Sequence, residues 1–304
     1  MDLSKVTDFT DSNAITRAYI DSLLVEARYM DSVEPDLGMT LYGRRLSSPI
    51  MIAAFSHLNS FHEDGMAEMA RGAAAAGVCN WAGMGSEDEL RRITAACPDT
   101  VKIVKPYADR GRVVRMLQLA QECGAMAVGI DIDHSFGGSG HPDVVLGDEM
   151  KPLTSQELKQ LVRETDLPFV IKGILSVQDA VKCAEAGVRG LLLSHHHGIM
   201  KCAVPPMLLL PAVAKAVGRE VDLFVDCGIA SGEDAFKALA LGAKAVCVGR
   251  SILPSLKENG AAGVQAYLSH MHDGLRAMMA RTCSPDPDHI AGDLLWDAST
   301  GRKL

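Results

Sequence analysis

Eight short apolar runs, each stopping at a polar or glycine residue, set the terms for what this chain can fold into. They are PIMIAAF (49–55), VCNWAG (78–83), VKIVK (101–105), AMAVGIDID (125–133), LPFVIKG (167–173), GLLLS (190–194), LFVDCG (223–228) and AVCVG (245–249). Unbroken apolarity, rather than alternation, marks strands buried on both faces, as in a parallel sheet covered by helices. Helical patterns lie between the runs. Gly65 to Ala76 is alanine-rich with helical spacing, and Ser86 opens S-E-D-E, an acidic first turn that suits the helix dipole. Ser176 and Ser231 open two more helices, with stops at Gly187 and near Gly242. This alternation predicts an α/β fold, a (β/α)8 TIM barrel. A doubly wound open sheet is the rival, and the lack of a GxGxxG turn counts against it.

At 304 residues the chain is long enough for one such barrel, which we assign to residues 49–304. Residues 1–48 read as an N-terminal helical extension or lid, amphipathic from Ala14 to Arg28. Residues 134–155 form the longest connection, rich in glycine and proline, a length usually functional or disordered. A net charge of −8 argues against nucleic acid or an anionic membrane surface as a partner. No run approaches the roughly 18 apolar residues of a membrane helix. The eight cysteines show no CxxC or zinc spacing, and Cys79, Cys183 and Cys247 read as small buried hydrophobes. The opening MDLSKVTDFTD has no basic stretch followed by an apolar one, so no signal peptide is expected. These features together lead us to expect a cytoplasmic protein acting on a small molecule.

Chemistry concentrates where the later strands end. Asp226-Cys227-Gly228-Ile229-Ala230 is a glycine-bearing turn entering a helix, and Gly249-Arg250 ends the last strand. Backbone N–H groups at such a turn, with a guanidinium alongside, suit a phosphate. Lys172 closes a fully apolar strand, where an ammonium is costly unless it meets an anion or reacts. It could form a Schiff base or stabilise negative charge on a cofactor. His196 lies just beyond the sixth strand and Asp133 ends the fourth. A histidine held by a carboxylate can take a proton and remain stabilised as imidazolium. Three successive histidines could also bind metal with help from Asp131 and Asp133. On extended backbone His195 and His197 would share one face and exclude His196. The base reading is preferred, with no metal.

On these residues the chain resembles the FMN-dependent α-hydroxy acid oxidase/dehydrogenase family, from about Leu41 to Leu295. The resemblance implies FMN as cofactor. PIMIAAF resembles the family's first strand, which carries Ala54, Phe55 and Ser56 to the flavin. Lys172 in VIKGI matches the lysine that neutralises the reduced flavin. Ser194 and His196 match the family's S-N-H-G-G, with His196 as catalytic base, and Asp133 matches the aspartate that holds it. DCGIASGEDAFKALALGAKAVCVGR resembles the family's phosphate segment, so Asp226 to Ala230, Gly249 and Arg250 are expected to bind cofactor. By the same analogy a homotetramer is expected.

The departures fall on the substrate side. Ile199 stands where the family arginine grips a carboxylate. Ile103 and Lys105 replace a glutamine and a tyrosine of strand three, and Asp131, counted with the cofactor residues, replaces a threonine. The arginine of the phosphate turn is Ala230. Strand side chains alternate, so Lys105 would point inward beside Ile103 and could supply the lost positive charge to substrate. An outward Lys105 is the opposite register. His197 and Ile199 are also expected to border the substrate. The expected activity is oxidation of an α-hydroxy acid or related activated alcohol. The alternatives are a non-redox isomerase on an FMN barrel and a flavin-binding member without turnover.

Overall fold

The computed structural model describes residues 6–304, so residues 1–5 of the expected extension lie outside the described residues. All eight apolar runs form strands: β1 Ile50–Phe55, β2 Asn80–Ala82, β3 Thr100–Val104, β4 Ala127–Asp131, β5 Phe169–Ile174, β6 Gly190–Leu193, β7 Asp222–Val225 and β8 Ala245–Val248. Each pairs in parallel with its neighbours, and β8 pairs with β1 to close the barrel. The fold is a (β/α)8 TIM barrel.

Nine helices accompany the strands among the described residues: α1 Ser12–Asp21, α2 Gly65–Ala76, α3 Glu87–Ala96, α4 Arg110–Glu122, α5 Ser155–Leu161, α6 Val177–Glu185, α7 Pro206–Val217, α8 Gly232–Ala240 and α9 Leu253–Ala280. Side-chain caps start most of them; Ser86, Ser176 and Ser231 each accept the N–H three residues on. Alternation within the strands makes two cores. Ile50 and Ile52 pack outward against the helices, whereas Met51 and Ala53 join Trp81, Ile103, Val170 and Phe224 inside the barrel. Trp81 meets Phe224 edge-on with ring centroids 5.6 Å apart. No helix among the described residues is long and apolar enough to cross a membrane.

The extension is only partly helical. After α1 the chain forms a strand, Leu23–Val25, which pairs with Leu295–Asp297 from the C-terminal tail. A hairpin of Met39–Leu41 and Arg44–Leu46 follows, and Met39, Leu41 and Leu46 plug the inner core. The amphipathic reading of Ala14 to Arg28 thus ran two elements together. Apolar residues at 20, 23 and 25 satisfy a helical stripe and a short strand alike.

Strand four is also shorter than expected. It ends at Asp131, and Ile132–Ser135 is a 3-10 turn, so Asp133 projects from that turn. The long connection then makes a small hairpin, Val144–Val145 with Asp148–Glu149.

Candidate active site

One cavity of about 470 Å³ opens at the carboxyl ends of the strands. Its inner end is Lys172 and His196, its outer end the turn 226–230 with Gly249 and Arg250, and Ala54 and Phe55 form a wall. The turn is shaped by backbone strain. Cys227 has φ +67° and Gly228 φ +85°, the left-handed region that non-glycine residues rarely adopt. A side chain at Gly228 would lie 2.9 Å from Ile20 Cδ1, so the glycine lets α1 pack on the turn.

That helix brings residues the sequence reading missed. Asn13 and Arg17, one helical turn apart, line the same cavity. Arg17 Nη1 donates to Gly228 O at 2.9 Å, and its guanidinium forks onto both oxygens of Asp234 at 2.9 and 3.0 Å. Asp234 in turn accepts from Ala230 N at 3.1 Å. Arg17 therefore stands against the very turn from which a side-chain guanidinium is absent at Ala230. Arg250 is exposed and hydrogen-bonds His197.

Lys172 is aimed by an irregularity in β5, whose register with β6 shifts between Lys172 and Ile174. Gly173, at φ +97°, leaves room for Asp133; a Cβ there would sit 2.8 Å from the Asp133 carboxyl. The Lys172 ammonium lies 3.2 Å from Asp131 Oδ1, 3.6 Å from Asp133 Oδ2 and 2.9 Å from His196 Nδ1. His196 Nδ1 is 2.8 Å from Asp133 Oδ1. Burial opposes the charged imidazole, but hydrogen bonds to Asp131 and Asp133 outweigh it and push His196 up to about 8. Burial and the neighbouring Asp131 push Asp133 up to about 6. Asp131 is buried too, yet Lys172 beside it holds it well below the usual carboxylate range.

The triple histidine is a turn, not extended backbone. His196 and His197 have φ +45° and +60°, so the face-sharing expected of His195 and His197 does not occur. His195 is buried with Nε2 2.8 Å from Thr16 Oγ1, while His197 is exposed and bonds Asn13 at 2.8 Å. A metal held by His195 and His197 is thereby excluded as a geometry.

Lys105 points inward, which fixes the register of β3. Its charge is not free, however: Nζ lies 2.7 Å from Asp131 Oδ2. Lys105 and Asp131, expected to stand in for a family tyrosine and threonine, form an ion pair, so Lys105 is not a free carboxylate clamp. Three other expected site residues play supporting parts. Asp131 lies beneath both lysines and does not line the cavity. Ser194 is fully buried and accepts from His196 N at 3.1 Å. Ser56 accepts from Met84 N at 2.7 Å, tying two loops together away from the cavity lining. Ile199 lies in the loop after β6, 37% exposed and off the cavity lining. His134, which the sequence reading passed over, sits beside His196.

A lysine, a carboxylate-held histidine and a glycine-bearing turn gather around one cavity at the carboxyl ends of a closed barrel, the usual place of an enzyme site on this fold. The sequence profile of the FMN-dependent dehydrogenases matches residues 7–153 and 144–297, and the chain belongs to that family. It is 30% identical to glycolate oxidase 3 of Arabidopsis thaliana over 83% of this chain and 78% of that protein. Mandelate oxidase superimposes with a TM-score of 0.86 at 27% identity, covering 97% of this chain and 92% of that one. A mandelate oxidase variant solved with a monooxide FMN adduct gives a TM-score of 0.85 at 28% identity, covering 95% and 92%. The chain is an FMN-dependent oxidoreductase.

The cavity fits that cofactor. It offers the turn 226–230 and Arg250 at one end, an ammonium at the other, and open space at Gly249, where an added Cβ would meet nothing within 4 Å.

Proposed function

We propose that this enzyme oxidises an α-hydroxy acid or related activated alcohol bearing an apolar substituent, with His196 as the base. The observation that carries this is the contact of 2.8 Å between His196 and Asp133 at the inner end of the cavity, beside Lys172. Bound FMN supplies the two-electron acceptor. His196 Nε2 takes the proton of the substrate, and Asp133 stabilises the imidazolium that results. Lys172 keeps its charge, because Asp131 and Asp133 outweigh burial, and so offers a fixed cation to developing negative charge. Lys172, the turn 226–230 and Gly249–Arg250 would hold the cofactor, with Ala54 and Phe55 as its wall and Arg17 and Asn13 closing it from α1.

The substrate side supports a changed specificity. Ile199 offers no bidentate partner for a carboxylate, and Lys105 is neutralised by Asp131. Exposed Phe136, Leu146, Ile199 and Met200 come from the loops after β4 and β6 at this end of the barrel. An apolar rim of this kind favours a bulky substituent over glycolate. Anaerobic bleaching of the flavin by a graded series of 2-hydroxy acids and alcohols tests the reading. Longer aliphatic or aromatic members should reduce the flavin fastest. Preference for glycolate, or no bleaching by any member, would overturn it. The eight free thiols suit a reducing compartment, supporting a cytoplasmic enzyme, and family analogy supports a homotetramer, checked by light scattering.

A further inference from the structure

The side chain after Asp133 carries more than a loop. His134 Nε2 lies 3.2 Å from His196 Nε2, with the rings edge-on and centroids 4.3 Å apart. Its other nitrogen, Nδ1, lies 3.0 Å from Asp143 Oδ2 on the connection after β4. Two imidazole nitrogens at that distance need one proton between them, since two lone pairs or two N–H groups would repel. Both ways of placing the other protons agree. With Nδ1–H of each ring donated to its carboxylate, the inner nitrogens share an added proton. With His196 Nδ1 accepting from Lys172, its own Nε2–H points at His134.

We infer that His134 and His196 form a one-proton pair, in which His134 relays the proton of His196 toward Asp143. The inference rests on the proposed role of His196 as base. A proton leaving the substrate hydroxyl forms an N–H bond at His196 Nε2. Its transfer to His134 Nε2 releases the Nδ1 proton to Asp143, whose side chain is 24% exposed and returns it to solvent. Because the same Nε2 faces the substrate, the pair opens as substrate enters and re-forms to carry the proton away.

The surroundings push the two rings apart in acidity, the usual mark of an acid–base pair. Asp131, Asp133 and Lys172 face His196, and the balance raises it to about 8. Burial, then Lys105 and His196 itself, hold His134 below the ordinary histidine value, against the pull of Asp131 and Asp143. One proton therefore binds readily and a second does not. Below the first step the pair is cationic and cannot take a further proton; above it the pair is neutral and can accept one.

Imidazole NMR of the FMN-loaded protein, with isotope-labelled histidine, reads this directly without substrate. Both rings should respond in one step above the ordinary value of about 6.5, with a second step well below it. In His134→Phe the lower step should vanish and the His196 step should fall. Asp143→Asn removes a charge that does not touch His196, from a side chain 24% exposed on the connection after β4. Through the relay it should still lower the His196 step, by less. Independent titrations of the two rings, or a His196 step unmoved in both variants, would overturn the pair. Failure of every hydroxy acid to bleach the flavin would instead overturn the proposed substrate and leave this titration unchanged.

Discussion

The two sides of the barrel mouth differ in what they ask of the sequence. On the proposed cofactor side, between β5 and β8, the site is shaped by backbone: left-handed Cys227 and Gly228, and open space at Gly249. On the proposed substrate side, between β3, β4 and the turn after β6, the site is built from side chains held in contact with one another. Lys105 meets Asp131, and His134 meets both His196 and Asp143. A buried charge cannot be altered alone, because its partner is then left desolvated and unpaired. A backbone site can do without a side chain such as the turn arginine and keep its shape, and here Arg17 from α1 bonds the turn at Gly228 O.

The largest effect should come where the two sides meet. His196→Ala removes the proposed base while leaving the turn and Arg250 intact. Stopped-flow flavin reduction should fall about 10²–10⁴-fold with FMN retained. If His195→Ala did this instead, the assignment within the triple histidine would be wrong, since His195 is buried against Thr16.

The ion pair between Lys105 and Asp131 is broken next. Asp131→Thr strips the buried Lys105 of its partner and should cost about 3–5 kcal/mol in urea unfolding. Adding Lys105→Tyr should recover much of that loss. Lys105→Met alone should be milder, because Asp131 keeps Lys172 at 3.2 Å. Additive losses in the double variant would mean the two positions are independent.

The barrel was legible because eight buried parallel strands write short apolar runs with helical patterns between them; the apolar run over 207–214, which is helix α7, shows that apolarity alone would not have sufficed. The positions of Lys172, His196 and Asp133 were legible because each closes or follows such a run. Arg17 and His134 were not. A half-buried arginine on an amphipathic helix looks like any solvated face, and only the loss at Ala230 signals that a guanidinium must come from elsewhere. His134 follows Asp133 directly, but strand logic would turn adjacent side chains to opposite faces. The 3-10 turn at Ile132–Ser135 breaks that rule and brings both to His196. The face-sharing of His195 and His197 failed for the same reason, a turn with positive φ where extended backbone was assumed.

On the cofactor side the effects should be smaller and confined to FMN retention. Arg250→Ala removes an exposed guanidinium beside Gly249. A charge-assisted hydrogen bond to phosphate is worth about 1.5–3 kcal/mol, so FMN affinity, read by quenching of flavin fluorescence, should weaken about 10- to 150-fold.

The smallest effect separates a recruited arginine from a bystander. Arg17 is 37% exposed on its side chain, and its partner Asp234 is 7% exposed, so solvent screens much of the ion pair. Its contribution to the turn is geometric as well as electrostatic, through the 2.9 Å bond to Gly228 O. Losing such a bond costs about 0.5–1.5 kcal/mol, so Arg17→Ala should weaken FMN about two- to tenfold. Unfolding of α1 would give the same weakening, so a second substitution is needed. Ala230→Arg puts a guanidinium back on the turn itself, and in the Arg17→Ala background it should restore affinity. Recovery identifies the two positions as alternative sources of one charge. Weakening without recovery would leave Arg17 as a clasp for α1, and the cofactor side would then owe its tolerance to backbone alone.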